Sequence, residues 1–319
     1  MQIPFPQALN SQAHPENFFQ INNQVHHIDD HNGASPVEGT VRWDAGKSIW
    51  IGSMTLIAII LGPLTFTWNA FAVFLVLTGL TLNLGHSLGM HRLLIHRAWK
   101  APLWLEYFAV YLGTLVGMAG PIGMMRTHDH RDWAQRQARC HDYFGHRRGF
   151  WQDAWWQLHC HLELERPPVF TLDERIATSR FYRRLEATWM WQQLPVALVL
   201  GWFGGIGWIV WGVAVRVTVS VVGHWWVGHF AHREGHQSFS VAGASVQGYN
   251  VRVASWISMG EAWHNNHHAY PGSARIGLHS GEVDPGWWTL SLLQRLGLAW
   301  EIKLPQDLPI RPQVQTILI

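Results

Sequence analysis

The sequence predicts an all-α membrane protein with four transmembrane helices in two hairpins, interfacial helices and a cap that contains clustered histidines. Two observations support this fold class. First, 48% of the 319 residues are hydrophobic and only 14% are charged, whereas soluble domains average about 25% charged residues. Second, the apolar residues form long runs, and three histidine clusters lie between or after them.

The first hairpin is predicted from two apolar runs, at residues 49–66 and 68–84. Neither run contains a charged residue, and they are 18 and 17 residues long. These lengths are near the lower limit for a helix that crosses the hydrocarbon core. Because only Thr67 separates the runs, the two helices must turn back on each other tightly.

A third apolar run, at residues 103–124, is predicted to be interfacial or only partly inserted. Glu106 interrupts it, and Gly117, Gly120 and Pro121 interrupt its helical pattern. Irregular or polar backbone is not tolerated next to lipid unless its hydrogen-bonding groups find partners. This segment is therefore not counted as a span.

The second hairpin is predicted from residues 188–222, with its turn at Gly204 and Gly205. Its first arm is short and contains Pro195, and its second arm contains Arg216. An arginine at the centre of a transmembrane helix costs about 2.5–3.5 kcal/mol on insertion scales. We therefore expect Arg216 near the cytoplasmic end of a helix that projects out of the bilayer.

Two hairpins return the chain to one side of the membrane, and all three histidine clusters lie on that side. The basic residues of the same segments are Arg92, Arg97, Lys100, Arg126, Arg131, Arg136, Arg139, Arg147 and Arg148. Because basic loops remain in the cytoplasm, the cap is predicted to be cytoplasmic. The predicted organisation is a cytoplasmic N-terminal segment at residues 1–47 and a membrane-embedded domain with its cap at 48–319.

Cysteine content and net charge exclude two classes of protein. The two cysteines, Cys140 and Cys160, cannot form a disulfide framework, so we predict packed thiols in a reducing cytoplasm. A net charge of +2 is too small to indicate a nucleic-acid-binding protein, and no aromatic-basic recognition module is present.

The most informative segment is EAWHNNHH, at residues 261–268. His264, His267 and His268 have the i, i+3, i+4 spacing that shares one helix face, and imidazole suits iron, zinc and copper. Upstream, His91 and His96 are five residues apart. Both can reach one centre only where the helix ends or its winding changes.

A third cluster, at residues 128–132, contains His128, His130 and Asp132, and a carboxylate is also a competent metal ligand. Three separate clusters predict one polynuclear metal site assembled from distant segments. A solvated histidine-rich tail is the main competing explanation. Such a tail would not be interleaved with apolar runs.

Three motifs, GMHRLLIHR, GFWQDAWW and EAWHNNHHAYPGSAR, resemble those of the integral-membrane fatty acid desaturases in order and spacing over residues 85–288. The likeness is to acyl-lipid and acyl-CoA delta-9-type desaturases. It implies four transmembrane helices and two irons held by histidine boxes at their cytoplasmic end. The irons activate dioxygen and remove two hydrogens from an acyl chain. The histidines that match the family's ligands are His91, His96, His232, His264, His267 and His268.

The second histidine box departs from the family's pattern, in which one histidine is followed three and four residues later by a pair. Arg131 and Asp132 stand where the pair is expected after His128. We predict that His128 and Asp132 are ligands. Two alternatives remain open: His130 substitutes after a local shift, or Arg131 and Asp132 form an ion pair and one iron has fewer protein ligands.

A further departure concerns an asparagine that the family tends to place four residues before its single histidine ligand. That position is Gly228 here, with His224 and His229 nearby as possible replacements. His141 resembles a family position from which a side chain supports the ligands without binding metal. Asn265 and Asn266 are available either for the same role or as a helix cap. Such outer contacts orient ligands and tune the metal.

The function that the resemblance implies is an oxygen-dependent di-iron desaturase that introduces a double bond into a saturated acyl chain. No catalytic residue beyond the metal ligands is predicted. The alternative is a di-iron membrane hydroxylase or oxygenase of alkanes, fatty acyl chains or carotenoids. A metal transporter would need ionisable residues along its spans, and only Arg216 lies clearly within one.

The predicted partners follow from the same resemblance. The acyl group would be attached to a lipid, coenzyme A or a carrier protein. Because the sequence has neither a haem-binding cytochrome b5 signature nor a Cys₄ iron–sulfur pattern, an external donor of the ferredoxin or cytochrome b5 type must supply electrons. The predicted location is a bacterial inner membrane, with the histidine boxes facing the cytoplasm.

Overall fold

The computed structural model describes residues 27–30 and 33–317, so most of the predicted N-terminal segment at 1–47 lies outside the described residues. The described part is mostly helical. Its main helices are α1 (Ala45–Leu64), α2 (Trp68–Ile95), α3 (Leu103–Leu115), α4 (Pro121–Arg136), α5 (Phe150–His159), α6 (Glu174–Thr178), α7 (Arg180–Ala187), α8 (Trp189–Ala231), α9 (His264–Ala269) and α10 (Pro285–Arg295).

Three small antiparallel sheets lie among these helices. The paired strands are β1 (Ile28–Asp29) with β4 (Val169–Phe170), β2 (Gly39–Trp43) with β3 (Cys160–Leu164), and β5 (Phe239–Val241) with β6 (Val314–Thr316). Cys140 and Cys160 are buried free thiols, as predicted.

Among the described residues, three helices are long and apolar enough to cross a membrane: α1 with 20 residues, α2 with 28 and α8 with 43. Their large apolar side chains point outward, as at Leu64, which is 77% exposed, and Trp202, which is 84% exposed. Lipid is the solvent that favours such a surface. The chain is thus a membrane protein. The sequence predicts four spans, whereas the described residues form three such helices, because both arms of the predicted second hairpin belong to α8.

The turn between α1 and α2 occurs where the sequence predicts it. The side chain of Thr67 accepts a hydrogen bond from Ala70 N and caps the start of α2. This cap satisfies one of the backbone donors that every helix start leaves unpaired. The first hairpin is therefore as tight as its one-residue link requires.

Helix α8 is bent sharply at Gly205, whose φ of 65° and ψ of −160° are not helical. This region of backbone space is essentially restricted to glycine. The two arms of α8 pack against each other. A Cβ added to Gly212 in the second arm would lie only 2.4 Å from Leu200 Cδ1 in the first arm. The predicted turn at Gly204 and Gly205 is therefore the place where α8 reverses.

Arg216 is buried in the second arm of α8, and its guanidinium has three partners. It donates to Gly212 O at 2.7 Å, to Leu115 O at 2.6 Å and to Gln193 Oε1 at 2.6 Å. Gln193 lies near the start of the first arm, and Leu115 is the last residue of α3. The guanidinium is therefore satisfied by partners within the protein. Arg216 lies 11 residues after Gly205 and 15 residues before Ala231, and its place near the cytoplasmic end of a helix stays a prediction.

Helix α3, the third apolar run, has only 13 residues. At 1.5 Å per residue it is about 20 Å long, too short for a hydrocarbon core of about 30 Å. It ends near Gly117, which has a left-handed φ of 88°. The prediction that this run is not a full span agrees with these dimensions.

The second half of α2, Thr81–Ile95, is wound as a π-helix. The next residue continues this pattern, because His96 N donates to His91 O at 3.0 Å, an i to i+5 bond. In a π-helix the residues five apart lie on one face. The changed winding that the spacing of His91 and His96 requires is present.

Candidate metal centre

Four imidazoles from three helices form the first histidine group, which consists of His91, His96, His128 and His267. One nitrogen of each lies within 4.8 Å of the others. His91 and His96 come from the end of α2, His128 from α4 and His267 from α9. Residues far apart in the chain thus meet where the apolar helices end.

Three imidazoles form the second histidine group: His232, His264 and His268. Their nitrogens also lie within 4.8 Å of one another. His232 directly follows α8, and the other two belong to α9. The rings of His264 and His267 are 5.6 Å apart between centroids, so the two groups are neighbours.

The short helix α9 divides its histidines between the groups. His267 joins the first group, and His264 and His268 join the second. Residues four apart in a helix lie one above the other, and the residue three apart is offset around the axis. The i, i+3, i+4 spacing in the sequence thus supplies imidazoles to two histidine groups rather than to one.

The distances between imidazole nitrogens suit metal ions. His96 Nε2 lies 3.2 Å from His91 Nε2, and His264 Nε2 lies 3.0 Å from His232 Nε2 and 3.1 Å from His268 Nε2. Two nitrogens bound to one ion at about 2.1 Å, at angles of about 90–100°, are about 3.0–3.2 Å apart. An ion at each centre would satisfy these facing nitrogens together, and the donor set suits iron.

Oxygen atoms lie close to the outward-facing nitrogens of three of these rings. His91 Nδ1 lies 2.6 Å from Glu261 Oε2, and His232 Nδ1 donates to the carbonyl oxygen of Gly228 at 2.7 Å. His128 Nδ1 lies 3.4 Å from Asp129 Oδ1. Such contacts fix the ring and its tautomer, so that the other nitrogen faces the metal.

Burial keeps most of these imidazoles neutral. It lowers the pKa of His264 and His267 well below the ordinary value, with the neighbouring imidazoles acting in the same direction, and it lowers the pKa of His268 to about 4. For His128 burial also opposes the charge, but Asp132 and Asp129 outweigh it and raise the pKa. Neutral imidazole is the form that binds metal.

The divergent second box has a definite arrangement. Asp132 lies 4.0 Å from His128 Nε2 through one oxygen, and its other oxygen accepts from Arg136 at 2.9 Å. Asp132 and His268 also line one small cavity. The ion pair of Asp132 is therefore with Arg136, while Arg131 donates to His146 and to Gln157.

His130 lies apart from both histidine groups among the described residues. It is half-buried, and its Nδ1 lies 2.7 Å from the backbone oxygen of Arg126. The alternative in which His130 replaces the missing histidine would need a large local rearrangement of α4.

Asn265 and His141 have different surroundings. The side chain of Asn265 accepts from Ser238 N and Phe239 N at 2.8 Å each, and it donates to two further carbonyl oxygens. It ties α9 to β5 and so sets the position of the histidines on α9. His141 accepts from Tyr143 N at 3.1 Å and lines an open surface cavity near Arg147.

A third buried group, which the sequence analysis did not identify, consists of His146, Asp153 and His229. Asp153 is fully buried in α5. Burial raises its pKa, but hydrogen bonds from His146, Trp225 and His229 outweigh that effect and lower the pKa below the ordinary value. The signal in the sequence was the motif GFWQDAWW, because an aspartate within an aromatic segment requires buried partners.

No family model matches the chain. Curated proteins match most of it. It is 36% identical over 263 residues to the sn-1 stearoyl-lipid 9-desaturase of Anabaena variabilis, covering 80% of this chain and 94% of that protein. It is 33% identical to the acyl-CoA 5-desaturase AL21 of Anemone leveillei, covering 77% and 75% of the two chains. It is 32% identical to the delta-9 acyl-lipid desaturase 1 of Arabidopsis thaliana, covering 78% and 80%.

Proposed function

The chain belongs to the fatty acid desaturase family, and from this premise we propose that it introduces a double bond into a saturated acyl chain by means of two irons held in its two histidine groups. Fatty acyl desaturation is the activity of its relatives, which makes the chain an oxidoreductase. The observation that supports two irons is the division of seven imidazoles into two adjacent groups.

The proposed ligands follow the two groups. The first ion takes His91, His96, His128 and His267, and the second takes His232, His264 and His268. When bound, the irons supply the activation of dioxygen that removes two hydrogens from adjacent methylenes. The chain's own residues hold the ligands, exclude water and align the acyl chain, since small displacements of a reacting group cost large factors in rate.

Asp132 is proposed as a further ligand. Burial raises its pKa, but His128 and Arg136 outweigh that effect and lower it below the ordinary value, so the carboxylate is ionised. It lies beside His128 of the first group and shares a cavity with His268 of the second. An ionised carboxylate between two histidine groups is well suited to bind an ion that has only three imidazoles.

We propose that α8 crosses the membrane twice, which gives four spans. A straight helix of 43 residues would be about 65 Å long, more than twice the hydrocarbon thickness of about 30 Å. The reversal at Gly205 supports this proposal, because a chain that crosses twice returns to its starting side, where His232 of the second group follows α8. We keep the proposed domain division at residues 47 and 48, which falls within the first turn of α1 (Ala45–Leu64).

The cap is proposed to face the cytoplasm, because basic residues gather there. One of the nine basic residues is buried: Arg92 is 1% exposed and pairs with Asp284. Arg131 is half-buried and donates to His146. Exposed arginines such as Arg139, Arg147 and Arg148 remain on the cap surface. We propose that these charges attract an acidic electron donor of the ferredoxin or cytochrome b5 type, and that the membrane is a bacterial inner membrane.

The substrate class is proposed to be a long saturated acyl group on a lipid or on coenzyme A, the two carriers that the relatives' names contain. The test is to express the chain in a host that lacks the corresponding unsaturated lipids and to analyse acyl chains by mass spectrometry. The expected product has lost two hydrogens, whereas a hydroxylase would add one oxygen.

The matched variant for this experiment is His267→Ala. His267 is buried and contacts three other imidazoles of the first group, so its removal should abolish the double bond while the protein still enters the membrane. The surface variant His161→Ala should retain activity, because His161 is exposed and pairs with Asp44. Unchanged product from the His267→Ala variant would contradict the assignment of the ligands.

A further inference from the structure

The carboxylate of Asp153 is the centre of a buried hydrogen-bond network outside the two histidine groups. Its Oδ2 lies 2.9 Å from His146 Nδ1, 2.7 Å from His229 Nδ1 and 2.9 Å from Trp225 Nε1. An indole N–H can only donate, so this oxygen is a hydrogen-bond acceptor. These contacts favour an anchoring role over a third metal site.

Arg131 continues the network from the other nitrogen of His146. Because His146 Nδ1 donates to Asp153, its Nε2 holds the lone pair and accepts a hydrogen bond from Arg131. Arg131 also donates to Gln157 Oε1 at 2.7 Å. The guanidinium is thus held in one position by two neutral acceptors.

His146 brings this fixed charge next to the second histidine group. Its ring lies parallel to the ring of His232, with centroids 5.2 Å apart and planes at 12°. A Cβ on Gly228 would lie 3.7 Å from His146 Nε2, so the imidazole occupies the space beside this glycine. His146 itself has a left-handed φ of 51°, a strained conformation of the kind that persists at functional sites.

We propose that Arg131 is a positioning residue that, through His146, holds a positive charge beside the second histidine group. It stands three residues after His128, where the family's pattern has a histidine. The positive charge of Arg131 repels a metal cation and so weakens its binding. The negative charge of Asp153, on the other side of the His146 ring, partly compensates for this repulsion. The second group therefore binds its ion less tightly than the first. The inference rests on the proposed function, which assigns an ion to each group.

The test is an anaerobic ferrous titration of the full-length, metal-free protein in detergent against a chelator of known affinity. For Arg131→Met, the weaker of two binding steps should become roughly tenfold tighter, and for Asp153→Asn it should become roughly tenfold weaker. Changes in affinity of opposite sign for the two variants indicate a charge effect, because a merely structural role would weaken ferrous binding in both.

Two further variants separate charge from shape. Arg131→Lys keeps the charge and should change the weaker step by no more than about twofold. Trp225→Phe removes one N–H donor without changing charge and should weaken it less than Asp153→Asn does. If Asp153→Asn fails to fold, the comparison of Arg131→Met with Arg131→Lys decides the question.

The outcomes distinguish this inference from the proposed function. A wild-type chain that binds no ferrous ion overturns both. A wild-type chain that binds two ferrous ions and forms the double bond, together with unchanged or weaker binding in Arg131→Met, overturns the inference alone.

Discussion

Glu261 shows how a single side chain outside the ligand set prepares the first histidine group. Its Oε2 lies 2.6 Å from His91 Nδ1, and its Oε1 accepts from Ser87 at 2.5 Å and from Arg92 at 3.2 Å. Burial raises its pKa, but His91 and Arg92 outweigh that effect and lower it below the ordinary value. The carboxylate is therefore ionised and directs His91 Nε2 inward.

The variant Glu261→Gln should weaken ferrous binding at the first group by roughly tenfold or more, because the acceptor of His91 Nδ1 loses its charge. Chelator competition on the purified protein measures this loss. Glu163→Gln is the matched control, since Glu163 pairs with Arg42 on the surface and its neutralisation should leave affinity unchanged. Equal affinities for both variants and wild type would show that Glu261 does not orient His91.

At the scale of elements, the approach of α2 to α3 depends on glycine. A Cβ on Gly85 would lie 2.5 Å from Gly113 N, and one on Gly89 would lie 2.7 Å from Ala109 C. Small residues let two helix backbones pack closely in a membrane protein. This contact fixes the segment of α2 that ends in His91 and His96, so packing inside the bundle determines the geometry of the metal site.

The variant Gly85→Ala should destabilise the fold by about 1–3 kcal/mol, because the added methyl group meets backbone atoms that cannot move aside. Thermal unfolding in detergent, followed by tryptophan fluorescence, measures the change. Gly79→Ala is the control in the same helix. Nothing lies within 4 Å of its added Cβ, so its effect should stay within about 1 kcal/mol. The prediction is wrong if the two variants unfold alike.

For the whole molecule, the metal ions should contribute directly to stability. Seven buried or half-buried imidazoles from α2, α4, the end of α8 and α9 lie in two groups, and without ions their lone pairs have few acceptable partners. Ions that bind only the folded state stabilise it by mass action. The histidine groups thus join the ends of the helices in the folded protein.

Ferrous ion at 100 times its dissociation constant should stabilise the metal-free protein by about 2.7 kcal/mol per site. Differential scanning fluorimetry under argon detects this as a rise in Tm. The variant His264→Ala, which lacks one imidazole of the second group, should show a smaller rise. Magnesium prefers oxygen ligands, so an equal rise with magnesium would argue against an imidazole-bound ion.

Much of this protein can be predicted from its sequence, because apolar runs and clustered histidines are local signals. The first hairpin, the turn at Gly204 and Gly205, and the need for altered winding between His91 and His96 were all evident before the fold was known. The family also follows from its motifs. Chain length and hydropathy limit the possible folds of a membrane protein strongly.

Only the tertiary structure decided which histidines belong to the same group. It separated His267 from its neighbours His264 and His268, gave Asp132 the partner Arg136, and turned Arg131 toward His146. The hydrogen-bond network of Asp153 could not be predicted either. His146 lies just before α5, whereas Trp225 and His229 lie in α8, more than 70 residues further along the chain. Sequence spacing specifies the face of one helix, whereas the partners of a buried polar group depend on how distant helices pack.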